Sequence, residues 1–209
     1  MSYSPQAARA RLSAIAAPSL EAVAARAPAG DHVLNPTLEW GADATLKDAA
    51  VLIPVVLRQP EVTVLLTTRT AHLSSHAGQV AFPGGRVDAG DASPIAAALR
   101  EADEEIGLGA DHIEPLGYLD LYLSNSGYRI APVIALVRPG FSLTPNPDEV
   151  ENTFEVPLSF LMNPANHVMT SRFWKGLDRH YYEMPYDGHR IWGVTAGIIR
   201  RFWERMQQG

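Results

Sequence analysis

Hydrophobic residues first concentrate in two short β-branched runs, residues 51–57 and 62–67, which a polar turn separates. Runs of this kind, bounded by turn residues, predict a β-hairpin. Residues 69–79 are polar and aperiodic, and we expect a loop there. Residues 80–82 predict a short strand that enters a Pro83-Gly84-Gly85 turn, because glycine adopts backbone angles that are closed to other residues.

The next segment carries the clearest helix signals in the chain. Ser93 is a good N-cap, Pro94 suits the first helical position, and Gly107 suits the stop at the C-terminus. Apolar side chains at i, i+3, i+4 and i+7 spacing predict the buried stripe, which comprises Ile95, Ala98, Leu99, Ala102 and Ile106. Three glutamates at i, i+3 and i+4 spacing lie together beside that stripe: Glu101, Glu104 and Glu105.

The other elements follow shorter patterns. Paired strands are expected over residues 117–123 and 129–137 and again over 167–175 and 180–184. Helices are expected over residues 5–26, 157–161 and 195–206, and a loop over 139–147. Mixed strands with interspersed helices predict an α+β fold, an α/β/α sandwich with a mixed β-sheet and flanking helices.

The length of 209 residues allows one large domain with a sizeable core. We assign residues 31–209 to this single domain and residues 1–30 to an Ala-rich helical extension. The same Ala- and Arg-containing start is also compatible with a mitochondrial transit peptide. No apolar run approaches the ~20 residues of a membrane span. We therefore expect a cytoplasmic protein without a membrane partner.

Charge and composition exclude several functions. The net charge of −6 argues against a protein that grips nucleic acid through its phosphates, so we expect no nucleic-acid partner. An acidic protein still binds an anionic substrate where metal ions reverse the local sign of the charge. The chain has no cysteine, which excludes disulfides, thiolate zinc sites and a cysteine nucleophile.

The three glutamates are unusual for a helix. A run of glutamates is most often a solvated face, but such a face usually carries Lys or Arg four residues away. Residues 95–99 offer no base, and only Arg100 lies nearby. Carboxylates are hard ligands that suit Mg²⁺ or Mn²⁺, ions that neutralise phosphate charge and activate water. The cluster therefore predicts metal-dependent hydrolysis of a phosphate linkage.

Residues 85–108 resemble the Nudix box, G-x5-E-x7-R-E-U-x-E-E-x-G-U, in which U is aliphatic. Its fixed positions are occupied by Gly85, Arg100, Glu101, Glu104, Glu105, Gly107 and Leu108. Two features depart from the box, because Asp91 replaces a glutamate and eight residues instead of seven separate it from Arg100. Ala102 is a small version of the aliphatic position.

The resemblance implies roles for the matching positions. Glu101, Glu104 and Glu105 would bind Mg²⁺ or Mn²⁺, and one of them, for which we favour Glu101, would act as general base. Arg100 would orient a glutamate, and Gly85 would lend a backbone carbonyl to a metal. A further acid from outside the box often completes such sites. The candidates are Glu149, Glu151 and Glu155, each with an ordinary loop charge as the alternative.

Residues 65–85 are similar to the signature of the coenzyme A pyrophosphatase branch, L-L-T-x-R-(S/A)-x3-R-x3-G-x3-F-P-G-G. The segments 154–158 and 191–196 also follow this branch. Thr70 departs from the Ser/Ala position, Ser74 removes a cation, and Asn152 replaces a common glutamate. The resemblance implies hydrolysis of coenzyme A or its acyl derivatives to phosphopantetheine and adenosine 3′,5′-bisphosphate. ADP-ribose or NADH as substrate, and a nucleotide-sensing domain without catalysis, stay as alternatives.

Three residues are assigned to substrate binding: Arg69, His76 and Gly84. The alternatives are an exposed loop arginine for the first and a loop-packing histidine for the second. Four aromatic residues of the C-terminal part belong to the core, to the contact of a homodimer, or to a site in which one of them stacks an adenine: Trp174, Tyr181, Tyr182 and Trp192.

Overall fold

The computed structural model describes residues 2–36, 46–72, 76–174 and 176–208, without the side chain of Trp174. The strands are β1 (Ala29–Gly30), β2 (Lys47–Val56), β3 (Thr63–Arg69), β4 (Val80–Ala81), β5 (Gly84–Arg86), β6 (Ile113–Tyr118), β7 (Tyr122–Ser124), β8 (Tyr128–Val137), β9 (Val150–Pro157), β10 (Val168–Trp174), β11 (Leu177–Tyr186) and β12 (His189–Trp192). The helices are α1 (Pro5–Ile15), α2 (Leu20–Ala24), α3 (Asp31–Leu34), α4 (Pro94–Ile106), α5 (Leu158–Leu161) and α6 (Gly193–Gln208).

A mixed sheet of nine strands forms the centre of the molecule. Its middle is the parallel pair of β2 and β8, in register from Lys47 opposite Tyr128 to Val56 opposite Val137. β3 and β5 pair antiparallel with different parts of β2, and β6 and β7 pair antiparallel with different parts of β8. This arrangement confirms the predicted mixed sheet and the hairpin of β2 and β3.

Alternate residues of β2 face two different hydrophobic layers. Leu52 and its neighbours on that face pack with Ala98 and Ile106 of α4. Ile53 belongs to the opposite layer, which contains Phe202 of α6 together with side chains of α1. Side chains that alternate across a strand produce this division, and it confirms the α/β/α sandwich.

A second, three-stranded antiparallel sheet contains β10, β11 and β12 in that order. β12 contacts β4 of the central sheet, and α6 packs on β11 and β12. The predicted late hairpin is confirmed. β12 is a third strand, which the sequence did not predict because four residues are too few to show a clear strand pattern. None of the helices in the described ranges is long and apolar enough to cross a membrane.

The N-terminal helix is shorter than expected. Instead of one helix over residues 5–26, α1 and α2 are separate, and between them Ala17 pairs with Tyr118. The Ala17 amide donates to the Tyr118 carbonyl at 2.8 Å, and the Tyr118 amide donates back at 2.9 Å. Pro18 explains the break, because the residue before a proline avoids helical angles. Ala8, Leu12 and Ile15 of α1 are buried in the main core.

Three other expectations were wrong in detail. The Pro83-Gly84-Gly85 turn is instead the start of β5, whose Gly84 lies opposite Val51. At Gly84, which has φ of 155°, a Cβ would collide with the backbone of β2. Glycine is therefore needed here because the two strands lie close together, and not because the chain reverses. The expected strand 117–123 is divided between β6 and β7, and β9 was not predicted because only its ends are buried.

Candidate functional site

The glutamates lie on α4, whose two ends are fixed by local interactions. The Ser93 hydroxyl accepts a hydrogen bond from the Ala96 amide at 3.2 Å, and Gly107 closes the helix with a left-handed φ of 66°. The predicted stripe packs on the sheet, with Ala98, Ala102 and Ile106 fully buried and Ile95 and Leu99 partly buried. The helix therefore holds its acidic side chains in a fixed orientation beside β5.

Glu105 is the most buried of the three, with 2% of its surface exposed. One carboxylate oxygen accepts a hydrogen bond from the Gly84 amide at 3.1 Å, and the other lies 3.5 Å from Arg69 Nη1. Burial, together with the charges of Glu101 and Glu149, raises the pKa of Glu105 to about 7, although the Gly84 and Arg69 contacts lower it. The buried carboxylate thus lacks full compensation by positive charge.

Glu101 lies against the backbone of Gly85. Burial raises the pKa of Glu101 although Arg100 opposes the shift. A Cβ on Gly85 would lie 2.5 Å from Glu101 Oε1, closer than atoms can approach. The absence of a side chain at Gly85 therefore lets the backbone and this carboxylate share one small space.

Arg100 organises the outer part of the cluster. Its Nη1 donates to Glu101 Oε1 and to Glu104 Oε2, each at 2.9 Å. Its Nε and Nη2 donate to the two carboxylate oxygens of Asp91, each at 3.0 Å, and Nη2 also donates to the Arg86 carbonyl at 3.1 Å. These bonds raise the pKa of Arg100 and lower the pKa of Asp91. Every donor of the guanidinium is therefore used, and all but one of these hydrogen bonds go to carboxylates.

The first departure from the Nudix box, Asp91 in place of a glutamate, has a structural explanation. Asp91 makes the two-oxygen contact with Arg100 that a carboxylate at this position can make. Asp91 also closes a tight turn, in which the Asp91 amide donates to the Asp88 carbonyl at 3.0 Å and the Asp88 amide donates to Asp91 Oδ2 at 2.8 Å. The extra residue lies after this turn, between Asp91 and Arg100, and the contact between these two side chains is still made.

Of the three candidate distal acids, the structure brings Glu149 to the cluster. Glu149 is partly buried, and its charge contributes to the raised pKa values of Glu101 and Glu105. Backbone hydrogen bonds fix its position, since its carbonyl accepts from the Thr70 amide at 3.0 Å and its amide donates to the Asn146 carbonyl at 3.0 Å. Sequence patterns alone did not separate it from its neighbours.

The other two candidates lie elsewhere. Glu155 binds Arg58 with Oε1 at 2.7 Å from Nη2 and also accepts a hydrogen bond from Thr63. Glu151 is exposed on β9. Asn152, which stands where the branch commonly has a glutamate, is exposed and pairs with Thr68 across the strands.

The residues assigned to substrate binding occupy different environments. Arg69 ends β3 instead of lying in an exposed loop, and its buried Nε has no partner among the described residues. The Gly84 amide is occupied by Glu105. His76 is exposed, has a left-handed φ of 58°, and lies with Nδ1 2.9 Å from Gln79 Oε1 in the turn before β4. Ser74 lies outside the described residues.

The acids suit a hard dication that keeps part of its water shell. Within the described ranges no group of three or more acidic or histidine side chains forms a metal-binding cluster. Magnesium rarely needs one, because it retains several waters and shares substrate phosphates with one or two carboxylates. The crowding of Glu101, Glu105 and Glu149, without enough positive charge to offset it, is the observation that fits such an ion.

Comparison with known proteins agrees with this fold. Residues 46–173, more than half of the chain, match the NUDIX domain. The chain is 44% identical over 161 residues to an uncharacterized Nudix hydrolase, NudL, of Photorhabdus laumondii, with 77% of this chain and 86% of the relative covered. A NudL protein of Yersinia pestis is 42% identical over 173 residues, covering 83% and 85% of the two chains.

A solved structure supports the fold independently of close sequence similarity. The Nudix hydrolase RenU of M. smegmatis aligns with a TM-score of 0.53 at 21% identity, over 78% of this chain and 86% of that chain. The chain described here belongs to the Nudix hydrolase family. Nudix hydrolases generally use divalent metal ions, as the chemistry of the glutamates indicates.

Proposed function

We propose that this Nudix hydrolase cleaves the diphosphate bond of coenzyme A or its acyl derivatives, with Mg²⁺ or Mn²⁺ as cofactor. The products would be phosphopantetheine and adenosine 3′,5′-bisphosphate. The observation that carries the metal-dependent chemistry is the buried carboxylate of Glu105, whose pKa is raised to about 7 beside two further acids. The choice of coenzyme A as substrate rests on the similarity of residues 65–85 to the coenzyme A pyrophosphatase signature.

The roles of the residues follow from their contacts. Glu101, Glu104, Glu105 and the Gly85 carbonyl would hold the metal, and Glu149 is the candidate fifth ligand. A bound dication supplies charge neutralisation at the diphosphate and acidifies a water. Glu101 is favoured as general base because it is partly exposed and held by Arg100, whereas burial and the Gly84 amide restrict Glu105.

Arg69 is suited to contact a substrate phosphate. Its Nη1 lies at the loose distance of 3.5 Å from Glu105, and its Nε has no partner in the part of the chain that the structure describes, so the guanidinium retains donors for an anion. The Gly84 amide donates to Glu105, so Gly84 would also orient this acid. His76 holds the turn between β3 and β4 through Gln79.

The substrate is tested by a panel of diphosphate compounds. Purified enzyme is incubated with coenzyme A, an acyl derivative, ADP-ribose or NADH, each with Mg²⁺ or Mn²⁺, and the products are identified by mass. The proposal expects the highest kcat/KM with coenzyme A or its acyl derivative. A kcat/KM for ADP-ribose or NADH at least tenfold higher would show that this compound is the substrate instead. Binding without hydrolysis of any compound would favour the sensing domain.

A further inference from the structure

A cavity of about 370 Å³ lies where the central sheet meets the second sheet. Thr68 at the end of β3 and Gln79 before β4 line one side, and His189, Arg190 and Trp192 of β12 line the other. The volume is within the range of ordinary small-molecule sites. None of the roles derived above uses this cavity.

The planar side chains of β12 are fixed in place. The Arg190 guanidinium lies 4.8 Å from the centre of the Trp192 ring and is held by Glu183 Oε2 at 2.7 Å. His189 stacks almost parallel on Phe154, with ring centres 3.6 Å apart and an interplanar angle of 7°. Planar groups held in this way can receive a flat ligand without first losing conformational freedom.

The opposite wall contains an unused polar atom. The Thr68 hydroxyl is buried and has no hydrogen-bond partner among the described residues. Buried polar groups in proteins are nearly always paired, so the unpaired hydroxyl of a residue that lines a cavity indicates a missing partner. Gln79 adds a side-chain amide to the same cavity.

One residue that lines the cavity is the direct sequence neighbour of a residue that contacts the glutamate cluster. Thr68 immediately precedes Arg69, whose guanidinium contacts Glu105. Successive residues of a strand are ~3.4 Å apart and point to opposite faces. A ligand that crosses the end of β3 can therefore have one part in the cavity and its phosphates beside the glutamates.

We propose that this cavity binds the base of the nucleotide substrate, stacked on the ring of Trp192 and hydrogen-bonded by Thr68. The inference rests on the proposed function, in which that base is an adenine. A purine offers both a π-face for the tryptophan and guanidinium planes and ring atoms for the hydroxyl and the amide. The pantetheine arm of coenzyme A has no aromatic face and would leave the planar wall unused.

Two ligands that differ only by the base test the inference. AMP and ribose 5-phosphate share the sugar phosphate, and neither contains a diphosphate bond, so the enzyme with Mg²⁺ does not consume them. Calorimetric titration of the natural chain should show tighter binding of AMP. Trp192→Leu should weaken AMP binding about tenfold or more, as expected for loss of base stacking, and change ribose 5-phosphate binding less than twofold.

A neighbouring pair of variants tests the hydroxyl. Thr68→Val removes an unpaired hydroxyl with almost no change of shape, so it should weaken AMP binding at least about threefold without lowering Tm. Thr67→Val is the matched control, because its hydroxyl donates to the Ala81 carbonyl at 3.2 Å on the other side of the strand. It should lower Tm and leave the preference for AMP over ribose 5-phosphate intact.

Fluorescence identifies the tryptophan involved. AMP should change the emission of the natural chain and of Trp203→Phe, a variant in α6, but not that of Trp192→Phe. Equal binding of AMP and ribose 5-phosphate, or an unchanged preference in Trp192→Leu, would overturn the inference. So would a selective loss of phosphopantetheine binding in that variant. None of these results depends on whether coenzyme A is hydrolysed, so failure of the proposed function is detected separately.

Discussion

Two buried acidic sites in this molecule have opposite electrostatic balance. Asp120, between β6 and β7, has a fully buried side chain that binds three arginines: Arg26 at 3.2 Å, Arg201 at 2.6 Å and Arg205 at 2.6 Å. Burial alone would raise its pKa, but the arginines outweigh burial and the pKa of Asp120 is lowered. This carboxylate is saturated with cations and joins the N-terminal segment to α6.

Glu105 is similarly buried, but among the described residues it contacts a single arginine, Arg69, at 3.5 Å, and two acids act against it. Its pKa is raised to about 7, the opposite direction from that of Asp120. Burial of an acid is therefore not by itself a sign of function. The sign of the net shift separates a carboxylate that holds the fold together from one that we propose binds a cation.

The largest expected effect is the loss of turnover in Glu105→Gln. Removing one ligand charge from a dication should lower kcat/KM by about 1000-fold, since metal ions contribute several kcal/mol to phosphoryl transfer. The fold should persist, because glutamine keeps an acceptor for the Gly84 amide. Steady-state kinetics measure this, with the exposed Glu151→Gln as the control of identical chemistry. Comparable activity of the two variants would remove Glu105 from the site.

Asp120→Asn should have the converse effect, on stability instead of catalysis. Loss of one partner from a buried ion pair leaves unpaired charges and costs about 3 kcal/mol, the lower end of the usual range, because the arginines are partly exposed. Urea unfolding should show a lower midpoint, while the folded fraction retains its kcat. A kcat loss as large as that of Glu105→Gln would contradict the distinction between the two sites.

The two acids should also respond differently to pH without metal. The folded pKa of Asp120 is lowered, so its stabilisation is complete above the unfolded value near 3.9 and is lost as the pH falls through the folded value. The folded pKa of Glu105 is raised to about 7, so its contribution is present below about 4.3 and is lost as pH rises to 7.

The loss attributable to Glu105 should be at most about 3 kcal/mol. Urea unfolding in EDTA between pH 4.5 and 8 measures it for the natural chain and for Glu105→Gln. We expect the variant to be flatter over this range and more stable at pH 8. Parallel curves for the two proteins would show that Glu105 is not strained by its neighbours.

A smaller effect is expected for Gly85→Ala. The added Cβ would lie 2.5 Å from Glu101 Oε1, so the carboxylate must move, and activity should fall about tenfold. Gly90→Ala is the matched control, because a Cβ there has no atom within 4 Å. Kinetics and Tm of both variants separate displacement of Glu101 from a general effect on folding.

Local signals were sufficient for some parts of the fold. Ser93, Gly107 and the apolar spacing between them predicted α4, because caps and periodicity act within one or two turns. The site motif is local for the same reason. The break after α1 needed Pro18 to be weighed against an Ala-rich pattern. β9 and β12 depend on pairing with distant strands, which no local pattern records.

The distal acid shows the same limit. Glu149, Glu151 and Glu155 are equivalent in sequence, and only the tertiary structure separates them. Glu155 is occupied by Arg58, a residue 97 positions away, whereas the backbone of Glu149 is fixed by Thr70. The cavity beside Thr68 likewise combines residues from β3 and β12 that are remote in the chain.

Direct observation of the ion tests the central claim, that under-compensated carboxylates on α4 are a dication site. Crystals soaked in Mn²⁺ with AMP would be measured at the manganese absorption edge. We expect an anomalous peak beside Glu101 and Glu105 that is absent in Glu105→Gln crystals. Crystals of the natural chain without such a peak, under conditions in which the nucleotide is bound, would contradict it.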